Sequence, residues 1–143
     1  MNDKLSHQLC YSFYTVERLF QQFYKKNLEK YDLTYTQYLV LVVLWEEPSL
    51  SLKEIGSRLD LSSNTLTPLL KRLEDKGYLL RLKPEKDKRQ LYVQLTEEGK
   101  HLQADIKTHL TECFWQIDGL TREGADRLIQ ENHQLIQALK NSL

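Results

Sequence analysis

The sequence predicts a mainly α protein with a small β-wing, a winged helix-turn-helix set between long N- and C-terminal helices. Three observations carry this prediction. Apolar residues recur at steps of three and four along most of the 143-residue chain, the mark of amphipathic helices. Between Tyr78 and Leu95 alone the period changes to two, around a Pro84-Glu85-Lys86-Asp87-Lys88 turn, which reads as a hairpin. Two short helical segments stand directly before that hairpin, the order of a winged helix-turn-helix.

Taken in order, Leu5, Leu9, Phe13, Val16, Phe20 and Phe23 put one apolar face on a first helix from Leu5 to about Leu28. Thr34-Tyr35-Thr36-Gln37 has the spacing of a capping box and opens a second helix, whose apolar run to Trp45 implies burial and which Pro48 ends. Ser51-Leu52-Lys53-Glu54 repeats the cap, starting a short helix with Leu52, Ile55 and Leu59 inward that ends near Asp60. Ser62-Ser63-Asn64-Thr65 supplies cap residues for a fourth helix, with Leu66, Leu69, Leu70 and Leu73 inward and Gly77 at its close. In the hairpin, Tyr78, Leu80 and Leu82 share one side, and Leu91, Val93 and Leu95 return. Thr96 with Glu97 and Glu98 caps a fifth helix striped by Leu102, Ile106, Leu110, Cys113 and Ile117. Thr121 starts the last helix, with Ala125, Leu128, Ile129, Leu135, Ile136 and Leu139 apolar.

The length suits one domain. The long terminal helices exceed what so small a middle needs for cover, so their apolar faces are expected to meet a second copy in a homodimer. The expected organisation is a single domain, 1–143, with dimerisation helices over 1–32 and 97–143 and a helix-turn-helix lobe over 33–96. Two cysteines, Cys10 and Cys113, are too few for a disulfide framework and lie in no Cys/His cluster of zinc spacing. No cofactor or metal is expected. The first residues lack a signal-peptide core, and the longest apolar run, Leu39 to Trp45, is far shorter than a membrane span. The expected location is the cytoplasm, with no membrane partner.

Lys plus Arg and Asp plus Glu both total 20, so bulk charge is silent about partners. Locally it is not. Residues 71–93 carry a net +4, from Lys71, Arg72, Lys76, Arg81, Lys83, Lys86, Lys88 and Arg89 against four carboxylates. That excess lies on the fourth helix and the hairpin, the parts of a winged helix-turn-helix that face DNA. On the fourth helix Ser63, Thr65, Thr67, Lys71 and Arg72 lie largely off the leucine stripe, where hydroxyls suit phosphates or base edges and Arg72 suits guanine in the major groove. In the turn, Asp87 can orient Arg89 beside Lys88 for a narrow minor groove. A solvated surface helix and a merely solubilising turn are the bland alternatives; the two features together favour double-stranded DNA.

Leu66-Thr67-Pro68-Leu69-Leu70-Lys71-Arg72-Leu73-Glu74 and Asp87-Lys88-Arg89, in this order of elements, resemble the MarR family of bacterial transcriptional regulators. Gln8-Leu9-Cys10-Tyr11, Leu33-Thr34-Tyr35-Thr36-Gln37-Tyr38 and Leu44-Trp45-Glu46 are similar to signatures of its OhrR/MgrA/SarZ branch, which senses organic hydroperoxides and other oxidants through a thiol. The resemblance implies a dimer built from the first, fifth and sixth helices, usually a repressor, on a pseudo-palindromic operator whose successive major grooves lie roughly 34 Å apart. The chain departs from the pattern at Ser62-Ser63-Asn64, where many relatives have Asp-Ser-Gly, and at Thr36, usually Pro.

Six of the eight tyrosines fall in the first 38 residues, around Cys10. Tyr14 is one turn from Cys10 on the same face, whereas Tyr24 is 14 residues on, about 21 Å along a straight helix. Within one chain, Tyr24 cannot touch Cys10. The resemblance implies that Cys10 of one chain is hydrogen-bonded by Tyr24 and Tyr35 of the other, with Tyr14 near. Hydroxyl donors favour a thiolate, which attacks peroxide to give a sulfenic acid. A disulfide with a small thiol or another cysteine would then shift the first helices and lift repression. Cys113 is either core or dimer packing or, as in two-cysteine members of this branch, a resolving cysteine. The plain alternative for Cys10 is a small buried hydrophobe. Two rival functions remain: a repressor released by a small phenolic or other organic ligand with Cys10 incidental, and a thiol peroxidase. The sequence offers no evident groups for peroxidase turnover, so a non-enzymatic role is expected. His7, His101, His109 and His133 are scattered and read as surface residues.

Overall fold

The computed structural model describes residues 4–84, 86 and 89–143. Asp87 and Lys88, expected at the wing tip, lie outside the described residues. A 3-10 turn at Leu5–His7 precedes an extended Gln8, and helix α1 then runs Leu9–Leu28. The first helix therefore starts later than the apolar spacing suggests, because Gln8 (ψ 123°) breaks the helical path. Cys10 consequently falls in the first turn of α1.

Four side chains decide where the next helices begin. Thr34 and Ser51 each accept from the amide three residues on, while Gln37 and Glu54 reach back to the cap amides. These two capping boxes open α2 (Tyr35–Glu46) and α3 (Leu52–Leu59) as expected. Ser62 caps α4 (Ser63–Asp75) by accepting from the Thr65 amide. Thr96 Oγ1 accepts from the Gly99 amide at the start of α5 (Glu97–Trp115), and Thr121 caps α6 (Arg122–Ser142). Helix α5 ends before Ile117, which the expected stripe had included. Past α4, the Gly77 amide bonds to Glu74 and the Tyr78 amide to Leu73, with Gly77 at φ +85°. This is a Schellman stop, and its left-handed residue is best a glycine.

The sheet has three strands, β1 (Ser49–Ser51), β2 (Leu79–Leu82) and β3 (Tyr92–Leu95), in the antiparallel order β1-β3-β2. β1 was not expected: three residues between a proline and a helix cap carry no alternation to read. The hairpin side holding Leu80 and Leu82 is the outer one, each being about half exposed, while Leu79, Val93 and Leu95 are buried. Pairing of Leu79 with Leu95 and Arg81 with Val93 sets this face. Arg81 shares the inner face with Leu79, and Glu74 of α4 binds it there.

The chain forms two compact units, Met1–Ile106 and Lys107–Leu143. In the first, α2 is apolar all round and packs against α1, α3, α4 and β3. Its Val40, Leu41 and Leu44 are fully covered, as are Leu28, Ile55, Leu66, Leu70, Leu73 and Ile106 around it. Along α1, by contrast, Leu9, Val16 and Leu19 stay about half exposed. In the second unit Leu110 is buried, whereas Leu128, Ile129, Ile136 and Leu139 of α6 are exposed. Among the described residues no helix is long and apolar enough to cross a membrane.

Candidate nucleic-acid interface and thiol site

Helix α4 puts its leucines inward and leaves Ser63, Thr65, Thr67, Lys71 and Arg72 exposed, as the spacing requires. Thr67 donates its hydroxyl proton to the Ser63 carbonyl at 2.8 Å. Its oxygen is left as an acceptor, which suits a base amino group better than a phosphate. Pro68 lies inside α4 and returns no amide to the Asn64 carbonyl. Lys83, Lys86 and Arg89 of the wing are exposed. Lys76 departs from this group: its ammonium binds both the carbonyl and the carboxylate of Asp32, 3.2 Å from the latter. It ties the end of α4 to the connection between α1 and α2.

Two contacts escaped sequence reasoning. Glu74 accepts from the Arg81 amide at 2.8 Å and from its Nε and Nη2 at 3.3 and 3.1 Å. These bonds, the amide first, hold the Glu74 carboxyl below its ordinary value. Trp45 Nε1 donates to the Gly99 carbonyl at 2.8 Å, joining α2 to α5. A part-buried indole N–H requires such a partner, but its identity is not in the local sequence. A groove of about 790 Å³ between α1, α2 and α4 is lined by Gln22, Lys25, Lys26, Leu33, Arg72 and Lys76, among others.

Cys10 is exposed, beside Tyr14, whose ring stacks 6.2 Å from Tyr11. The reading of Cys10 as a sealed core residue thus finds no support within the chain. Tyr24 and Tyr35 come together across α1 and α2, their rings stacked at 4.2 Å, with Tyr38 6.0 Å from Tyr24 and Trp45 6.1 Å beyond Tyr38. Burial, then the neighbouring Tyr35 and Tyr38 phenols, pushes Tyr24 up to about 12. Burial likewise raises Tyr35 and Tyr38. All three hydroxyls keep their protons near neutrality and remain hydrogen-bond donors. Cys113, half-buried on α5, has its sulfur 3.9 Å from both ring nitrogens of His109. His109 is therefore not the plain surface residue expected, whereas His7, His101 and His133 are exposed.

Residues 22–106 match the family described as transcriptional regulator SarA/Rot. The transcriptional regulator SarZ of Staphylococcus aureus is 41% identical over 125 residues, 87% of this chain and 84% of SarZ. AbfR of Staphylococcus epidermidis, solved reduced and bound to DNA, is 45% identical with TM-score 0.84, covering 96% of this chain and 93% of AbfR. AbfR is also solved overoxidised and bound to DNA (44% identity, TM-score 0.79, 94% of each chain) and in a disulfide form (45%, TM-score 0.70, 92% of each). The chain belongs to the SarA/Rot family of bacterial transcriptional regulators, built on the winged helix of the MarR type.

Proposed function

We propose that the protein binds double-stranded DNA as a homodimer on a pseudo-palindromic operator, and that oxidation of Cys10 releases it. The observation that carries the redox half is the stacked Tyr24–Tyr35 pair, two protonated phenols with no cysteine of their own near in sequence. The DNA half rests on the exposed Ser63, Thr65, Thr67, Lys71 and Arg72 of α4 and on the wing cations Lys83, Lys86 and Arg89. Residues 33–96 serve as the DNA-binding lobe. The half-exposed apolar faces of α1 and α6, within 1–32 and 97–143, suit burial against a second copy. In that dimer Cys10 of one chain meets Tyr24 and Tyr35 of the other, with Tyr14 alongside.

The chemistry is a two-electron oxidation. The Cys10 thiolate attacks the outer oxygen of an organic hydroperoxide, the O–O bond breaks, and an alcohol leaves after taking a proton from water. A second thiol, Cys113 or a small cellular thiol, then displaces water from the sulfenic acid to form a disulfide. Cys10 stands in the first turn of α1 and is exposed, so a hydroperoxide can reach its sulfur. AbfR is bound to DNA both reduced and overoxidised, which supports the disulfide, not an oxyacid, as the releasing form. The lower TM-score of disulfide AbfR fits a rearrangement at that step. A displacement costing about 3 kcal/mol lowers operator affinity more than a hundredfold.

The groove at Lys25, Lys26 and Arg72 favours one second reading, a repressor released by a small anionic or phenolic ligand. Operator binding of the wild type, Cys10→Ser and Cys113→Ser, with and without an organic hydroperoxide, separates the two. The redox reading expects release in wild type and none in Cys10→Ser. Ligand-induced release that survives Cys10→Ser supports the groove instead.

A further inference from the structure

We infer that Glu74 and Arg81 form a strut that fixes the wing against α4, making Arg81 a positioning residue for DNA reading and not a phosphate contact. This rests on the DNA-binding function proposed above. The sequence places Glu74 in the last turn of α4, where the helix dipole disfavours a carboxylate. Its position is compensated from outside the helix, since one carboxylate collects three donors of a single residue: the Arg81 amide, Nε and Nη2. The two side chains are 28% and 24% exposed, so the pair is screened less than a surface salt bridge and is held in a forked, charge-assisted geometry.

Position explains why this carboxylate matters. β2 is an edge strand, and the Arg81 amide points off the ladder toward the open edge, where Glu74 Oε2 takes it. Glu74 thus closes a strand edge that would otherwise offer an unpaired donor. Arg81 lies in register with Val93 on the inner face of the hairpin, away from the outer face that holds Leu80 and Leu82. Between Glu74 and Arg81 the chain turns through Gly77 in the left-handed conformation. The strut spans that turn. Apart from it, the turn is tethered by the Thr96 hydroxyl on the Gly77 carbonyl, which holds the root of the wing but not its strand.

The strut and a phosphate contact predict opposite signs. Removing a carboxylate from a DNA-facing helix ordinarily tightens binding by reducing repulsion. Were Arg81 a phosphate ligand, Arg81→Lys would keep most affinity and Glu74→Gln would gain some. As a strut, Glu74→Gln and Arg81→Lys both lose specific affinity by about tenfold or more, the scale of a charge-assisted hydrogen bond. The Glu74→Gln/Arg81→Lys double variant loses no more than either single one.

The test uses the full chain and a duplex selected from random sequence by the wild type, with mixed-sequence DNA as the non-specific control. Circular dichroism and retained non-specific binding establish that each variant is folded. Hydrogen exchange at the Arg81 amide reports the strut without DNA: slow in wild type, at least tenfold faster in Glu74→Gln. Glu74→Gln binding the selected duplex as tightly as wild type, or an Arg81 amide that exchanges fast in wild type, overturns the strut. A wild type that selects no duplex overturns the proposed function, and the exchange measurement then judges the strut alone.

Discussion

Gly99→Ala opposes two effects of known size. By helix propensity, alanine gains up to about 1 kcal/mol over glycine. The structure reverses the sign. A Cβ at Gly99 would stand 2.3 Å from the Tyr78 carbonyl oxygen and 2.6 Å from Leu95 Cδ1, where real Cβ contacts essentially never fall under 3.0 Å. The first obstacle is backbone, so no rotamer change relieves it. The same carbonyl accepts the Thr96 amide, and the Gly99 carbonyl accepts Trp45, so α5, the hairpin root and α2 must shift together. Overpacking of this kind costs about 1–3 kcal/mol. A clash with backbone falls in the upper half of that range, and less the propensity gain it leaves about 1–2 kcal/mol; since 1 kcal/mol is worth roughly 2–4 °C at this size, we expect Tm to fall by about 2–8 °C in scanning calorimetry at fixed protein concentration. Operator affinity should fall with it, because the hairpin root moves. A Tm equal to or above wild type would refute the argument that close approach, not backbone freedom, requires glycine here.

The Glu74 carboxyl is held below its ordinary value of 4.5 by the Arg81 amide and guanidinium. Its contribution to stability is full above the unfolded value and lost as pH falls through the lowered folded one. Denaturant midpoints should therefore drop on acidification more in wild type than in Glu74→Gln. Tyr24 is the reverse case, raised from 10.0 to about 12. Its stabilising effect is full below 10 and is lost as pH rises toward 12, so wild type should lose more stability than Tyr24→Phe over that range, with phenolate absorbance rising late. Lys71→Ala should weaken binding to all duplexes about equally and reduce the salt slope of log K by about 1, the behaviour of a phosphate contact; a change confined to one base position would show instead that Lys71 reads sequence.

Much of the fold was legible because its signals are local. Thr34 with Gln37 and Ser51 with Glu54 are complete capping boxes within four residues, and the Leu66–Leu70–Leu73 stripe needs only helical geometry to find its face. What escaped is tertiary. Leu80 and Leu82 face outward because the strand buries Leu79 against Leu95 and Val93 and puts Arg81 on that same side, where Glu74 binds it, an outcome alternation alone cannot foresee. β1 exists only because β3 offers it an edge. The ion pair of Lys76 with Asp32, whose backbone is in the left-handed region, joins residues 44 positions apart and has no local signal. At the thiol site the tyrosine clustering was plain in the sequence, but the Tyr24–Tyr35 stack depends on the packing of α1 on α2. The contact between His109 and Cys113 is an i, i+4 pair that helix geometry permits and that a reading of histidines as scattered passes over.

The most direct measurement follows Cys10 and the operator in one sample. Titrate reduced dimer bound to a labelled operator with organic hydroperoxide up to one equivalent per Cys10, quantify disulfide and sulfenic acid at Cys10 by mass spectrometry, and read bound DNA by anisotropy. Released operator should track the Cys10 disulfide in proportion, with reductant restoring binding and Cys10→Ser staying bound throughout. Complete conversion of Cys10 to the disulfide with the operator still bound would contradict the redox mechanism.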